Sequence, residues 1–141
     1  MKILFATDSS VHSEAAICLL NRFPFPAESE LTLLDVFELP PPFVSKLEQQ
    51  ELLQDWNEQL HLEMKAAFTR QTSSLERARW KVNTTIREGH AAREIVSAAK
   101  ELDADLVVVG SHGRDTVTRF LLGSVSNRIV PHAPCSTWMV R

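Results

Sequence analysis

Two rhythms of apolar and polar residues alternate along the 141 positions of the chain. The first is short and strand-like. It gives apolar runs at 3–6, in LTLLDVF (31–37) and in DADLVVVG (103–110), with KVNTTIREG (81–89) and STWMV (136–140) read as two further strands. The run at 103–110 is almost continuously apolar, as a strand covered on both faces requires. The second rhythm has helical spacing. In VHSEAAICLLNRF (11–23) it puts Ala15, Ala16, Leu19, Leu20 and Phe23 on one stripe, and in AREIVSAAKEL (92–102) Ile95, Val96, Ala99 and Leu102. From 44 to 79 there is neither Gly nor Pro, and Leu52, Leu53, Trp56, Leu60, Met64, Ala67 and Phe68 form a longer stripe suited to core packing. SVSNRIVPHA (124–133) predicts a last helix that ends at Pro131. FPFPAESE (23–30) and the prolines at 40–42 break the pattern, and the latter read as a loop. Five strands with helices between them predict an α/β fold with right-handed crossovers and a parallel sheet covered on both faces.

Composition narrows the function classes. A chain of this length is most simply one domain, residues 1–141, that buries about two-thirds of its unfolded surface. A formal charge of −3 and a pI near 5.9 give no basic footprint for nucleic acid. No run approaches the roughly 20 apolar residues of a membrane span, and MKILFATDSS turns polar too soon for a signal peptide. The expectation is a cytoplasmic protein with no membrane and no nucleic-acid partner. Cys18 and Cys135 form neither a disulfide framework nor a CxxC site; both sit among apolar neighbours and are expected to be buried or inert thiols.

The candidate chemistry lies in VVVGSHGRDTVTRFLLGSVSN (107–127), which holds three of the four glycines. In an open parallel sheet ligands bind beyond the carboxyl ends of the strands. Gly110 and Gly113 can adopt backbone angles closed to other residues and let main-chain N–H groups reach an anion. Gly123 and Ser124 open a helix whose first N–H groups suit a phosphate, Ser124 and Ser126 add hydroxyls, and Arg114 or Arg119 could offset charge. Each exposed contact of this kind is worth only about 0.3–1 kcal/mol, so several must converge. The segment is neither a Walker A loop nor a dinucleotide fingerprint. A plainer reading has the glycines shape a turn and relieve packing. Ser111, His112 and Asp115 stand too close in sequence for a catalytic triad, and His12, His61, His90 and His132 lack metal-ligand spacing. Asp8 could cap the first helix, a role compatible with ligand binding.

Gly110, two residues, Gly113, nine residues and Gly123-Ser124 match G-x2-G-x9-G-[ST] at every fixed position, within GSHGR and GSVS and after ILFATDSS at the start. On these residues the whole chain resembles the nucleotide-binding branch of the universal stress protein family. The resemblance implies a five-stranded parallel sheet in order 3-2-1-4-5, a Rossmann-like arrangement with its switch point between the first and fourth strands. It implies ATP binding there: Ala6, Thr7 and Asp8 on the base and ribose side, Val36 and Val109 against adenine, and Gly110, His112, Gly113, Gly123, Ser124, Val125 and Ser126 around ribose and phosphates. Mg2+ or Mn2+ would come through the phosphates. A stress-response regulator, homodimeric through the fifth strand, is the leading expectation. A slow ATP hydrolase on the same site and a homodimeric module that binds no nucleotide are the alternatives. No catalytic residue stands out, so at most weak ATPase activity is expected. Ala6 and Ser136 stand where relatives often carry Pro.

Overall fold

The computed structural model describes residues 1–8, 10–38, 62, 66, 68–75, 80–111 and 123–141. In chain order its elements are β1 (Lys2–Thr7), α1 (Val11–Arg22), β2 (Glu30–Phe37), the helical residues 68–75 (α2), β3 (Lys81–Glu88), α3 (Ala91–Glu101), β4 (Leu106–Gly110), α4 (Ser124–Ile129) and β5 (Ser136–Val140). The strands form one sheet in the order β3-β2-β1-β4-β5, and every neighbouring pair is parallel. Parallel pairing brings all five carboxyl ends to one rim, with the ends of β1 and β4 side by side through the pairing of Ala6 with Val109.

Alternation along each strand sorts the core into two clusters. Ile3, Phe5, Leu31, Leu33 and Val108 point to one face, where Ala16, Ile17 and Leu20 of α1 and Phe68 and Leu75 of α2 cover them. Leu4, Ala6, Leu34, Val107 and Val109 point to the other, against Ala92, Ile95, Ala98 and Ala99 of α3 and Ile129 of α4. β1, β2 and β4 are each buried on both sides over most of their length, and in β1 and β4 this leaves nearly unbroken apolar runs. Because α1 follows β1 on one face and α4 follows β4 on the other, the two chain paths part at the rim between these strands.

Several sequence expectations need correction. The buried face of α1 is Ser13, Ala16, Ile17 and Leu20, whereas Leu19 and Phe23 are 37% and 46% exposed. A helix turns 100° per residue, so the face set by positions 13, 16, 17 and 20 leaves 19 to one side. In α3 the buried set is Ala92, Ile95, Ala98 and Ala99, with Val96 and Leu102 only partly covered. α4 stops at Ile129, two residues before Pro131. Pro131 has no N–H to continue the ladder, and His132 and Ala133 both donate to the Ile129 carbonyl in a closing turn. Cys18 is exposed, and Cys135 is half-buried with its thiol pushed up by burial and by the nearby Asp105 charge; neither is in a disulfide. Of the stripe expected over 44–79, Phe68 is buried as expected, while Leu52, Leu53, Trp56, Leu60, Met64 and Ala67 lie outside the described residues, as do the prolines at 40–42.

Candidate functional site

Two turns meet at the rim, and they are held in different ways. The turn after β1 is built from side chains. The Asp8 carboxylate accepts the Ser10 N–H at 3.0 Å and the Ser13 hydroxyl at 2.7 Å through one oxygen, Oδ1. Ser10, not Asp8, is the helix cap: its hydroxyl accepts the Ser13 N–H at 3.4 Å. The TDSS segment offered several capping oxygens, and the structure uses the last of them for the cap and Asp8 to fix the approach to it. Thr7, on the α1 and α2 face, donates its hydroxyl to Gln71 Oε1 at 3.0 Å, and both residues are buried.

The turn after β4 is built around one main-chain carbonyl. Ser111 is buried, and its N–H donates to the Val140 carbonyl at 2.8 Å, joining the turn to the end of β5. Its own carbonyl accepts the Gly123 N–H at 2.8 Å and the Ser126 hydroxyl at 3.1 Å. The Ser111 carbonyl therefore ties the end of β4 to the start of α4 in a closed neck. Gly123 caps α4 with φ −58°, and Gly110 ends β4; among the described residues the glycine with positive φ is Gly89, at 138°. Left-handed backbone freedom is thus not what Gly110 or Gly123 contributes. A side chain missing at the neck is the property that remains. α4 has six residues, so its dipole is small and its first N–H groups matter as individual donors rather than as a helix end.

The expected site residues fall into three groups. Ala6, Val36, Val109 and Val125 share the apolar cluster on the α3 and α4 face and make one wall. Thr7 turns to the opposite face, and Asp8 lies beyond the strand with its carboxylate committed to the turn. Gly110, Gly123, Ser124 and Ser126 gather at the neck, with Ser124 exposed and Ser126 buried, its hydroxyl reaching the carbonyls of both Ser111 and Gly123. His112 and Gly113 lie outside the described residues, as do Arg114, Asp115 and Arg119. Sequence reasoning missed Gln71, although the spacing Phe68, Gln71, Leu75 (i, i+3, i+7) already marks it as facing the core. His90 Nε2 meets Arg128 Nη1 at 2.6 Å, and His132 Nδ1 meets the Arg128 carbonyl at 2.8 Å. Among the described residues no group of His, Cys, Asp or Glu is placed to hold a metal ion, and no helix is long and apolar enough to cross a membrane.

The family model described as the universal stress protein family matches residues 1–141. The chain belongs to this family. It is 36% identical over 119 residues to a universal stress protein of Methanothermobacter thermautotrophicus, a match covering 81% of this chain and 77% of that protein. The solved structure of hypothetical protein MJ0577 superposes with a TM-score of 0.86 at 27% identity, covering 99% of this chain and 94% of that one. A universal stress protein from Archaeoglobus fulgidus, solved in complex with dAMP, shares the fold at a TM-score of 0.68 and 19% identity, covering 100% of this chain and 98% of the other. The sheet order 3-2-1-4-5 expected of this family is the order found.

Proposed function

We propose that this universal stress protein binds an adenine nucleotide, ATP, in the crevice between the ends of β1 and β4, and acts as a stress-response regulator whose bound state alters its contacts. The observation that carries the reading is the closed neck. The complete G-x2-G-x9-G-S motif starts at Gly110 on one side of it and ends at Gly123-Ser124 on the other, next to Thr7 and Asp8. The apolar wall of Ala6, Val36, Val109 and Val125 suits the flat face of a base, and glycines at the neck let main-chain N–H groups approach phosphate. The dAMP complex of the Archaeoglobus protein supports adenine as the base. Mg2+ or Mn2+ belongs to the reading as an ion carried by phosphate oxygens. Homodimer formation through β5 and a cytoplasmic location complete it.

The direct test is calorimetric titration of ATP into the parent and into Gly123→Val, with circular dichroism to show that both are folded. The parent should bind, and the variant should lose roughly tenfold or more in affinity, about the 1.4 kcal/mol of one lost N–H contact to a charged ligand. Absence of binding to ATP, ADP and AMP by the folded parent at millimolar ligand would overturn the proposal.

A further inference from the structure

Gln71 is a polar side chain that links three elements at the rim. It lies in α2, 2% exposed, between Phe68 and Leu75 of the core on that face. Its Oε1 accepts the Thr7 hydroxyl from the end of β1 at 3.0 Å, and its Nε2 donates to Glu14 Oε1, in the first turn of α1, at 3.4 Å. A carboxylate only accepts and a carboxamide oxygen cannot donate, so Glu14 fixes which end of the amide faces which neighbour. The β1–α1 turn thereby has two fastenings. Asp8 fastens it from within, through Ser10 and Ser13, and Gln71 fastens its two flanks from outside.

We infer that Gln71 is a positioning residue of the nucleotide crevice: its carboxamide braces the end of β1 against the first turn of α1 and so holds the turn that carries Thr7 and Asp8. The inference rests on the proposed nucleotide site for its functional consequence, but the brace itself is independent of any ligand. Leu has nearly the volume of Gln and neither of its polar ends, so Gln71→Leu removes both bonds with little change in packing. Thr7→Val removes the Thr7 bond from the other side, and Thr7→Ser keeps the hydroxyl.

Two measurements on the whole chain decide it. Amide hydrogen exchange followed by NMR should show the Ser10, Ser13 and Glu14 amides exchanging about fivefold faster in Thr7→Val, the loss of one net hydrogen bond, and at least as much faster in Gln71→Leu, which loses two. Thr7→Ser should exchange as the parent does. The Gly123 amide, fastened to Ser111 on the far side of the rim, should be unchanged in all three, which separates a local brace from general loosening. Should Gln71→Leu fail to fold, Thr7→Val reads the same bond. Calorimetry should then show ATP affinity lowered about fivefold in Thr7→Val, at least as much in Gln71→Leu, which also loses the Glu14 bond, and no further in the double variant than in Gln71→Leu, because the Thr7 bond is shared. Unchanged exchange at the three turn amides overturns the brace. Faster exchange with unaltered ATP affinity overturns the positioning role. A folded parent that binds no nucleotide defeats the site reading instead, and the exchange experiment alone then decides whether Gln71 braces the turn.

Discussion

The sheet ends in two edge strands of opposite character. β3, KVNTTIRE, carries charge at both ends: Lys81 pairs with Glu30 of β2 at 3.1 Å, and Arg87 is bonded to Glu101 and lies 3.8 Å from Glu94, both on α3. β5, STWMV, carries none. An edge strand presents unpaired N–H and C=O groups to any passing strand, and charged side chains are the usual defence. Among the described residues β3 is defended in this way and β5 is not. The two residues in the middle of β5 also differ. Trp138 is already covered in part, with Phe23 edge-on at a centroid distance of 4.7 Å and Phe25 at 5.6 Å, whereas Met139 is 38% exposed on the opposite face. An undefended edge with one exposed apolar side chain is what a second copy can use; a two-fold axis would set β5 against itself.

Met139→Lys is the change with the largest expected effect. The axis would bring two lysines together in an otherwise uncharged strand pair, and like charges facing each other at an interface cost several kcal/mol, so dimer affinity should fall by more than roughly a hundredfold. Light scattering from micromolar to millimolar protein measures it. A variant as dimeric as the parent would show that β5 is not the contact, and a parent that is monomeric throughout would show that the bare edge is covered by other means.

The same contrast shows which parts of the fold could be read from the sequence. β4 is legible because burial on both faces removes every polar residue from it until Gly110. β3 is harder to read, because an edge strand half open to water keeps Asn83, Thr84 and Thr85 in its middle. The extents of α1 and α3 were legible to within a residue, and their buried faces less so. Leu19 and Phe23 are apolar, yet they lie outside the buried face of α1, and Phe23 is used instead in the ring cluster with Phe25 and Trp138. Apolar identity does not say which core a residue joins. The motif located the neck at Gly110 and Gly123, but no spacing rule could reveal that the Ser111 carbonyl closes it or that Ser126 turns its hydroxyl inward, since both depend on contacts between β4 and α4. Gln71 was hidden for a related reason: a buried amide is recognised by its two partners, and these lie 64 and 57 positions away in sequence.

A smaller effect should follow from weakening the defended edge. In the Met139→Lys background, Lys81→Val removes one charge from the start of β3 and substitutes a residue that favours strands. Weak association through β3 should appear, with a Kd near about 1 mM, because Arg87 still guards the other end of the strand. Sedimentation velocity would detect it. If the double variant remains monomeric at several times that concentration, Lys81 is not what keeps β3 single.

The smallest effect concerns how Arg87 is held in place. Glu101 accepts from Arg87 Nη1 at 3.0 Å and Nη2 at 2.5 Å, and Ser97 donates to it at 2.8 Å. The Arg87 bond first, and the Ser97 bond second, pull the Glu101 carboxyl down from 4.5 to about 2. A carboxyl whose folded value lies below its unfolded value adds stability that is complete above the unfolded value and disappears as the pH falls through the folded one. Glu101→Gln should therefore be slightly less stable than the parent at neutral pH, and urea unfolding midpoints should converge between about pH 4.5 and pH 2. The gap should be small and should shrink in added salt, because the pair is open to solvent on the Glu101 side. In the Lys81→Val and Met139→Lys background the same change frees the Arg87 guanidinium to move off the edge, so association through β3 should strengthen. If Glu101→Gln lowers stability equally at pH 2 and pH 7, the ion pair is not the source of the effect. If it leaves association through β3 unaltered, Arg87 guards that edge without being held by Glu101.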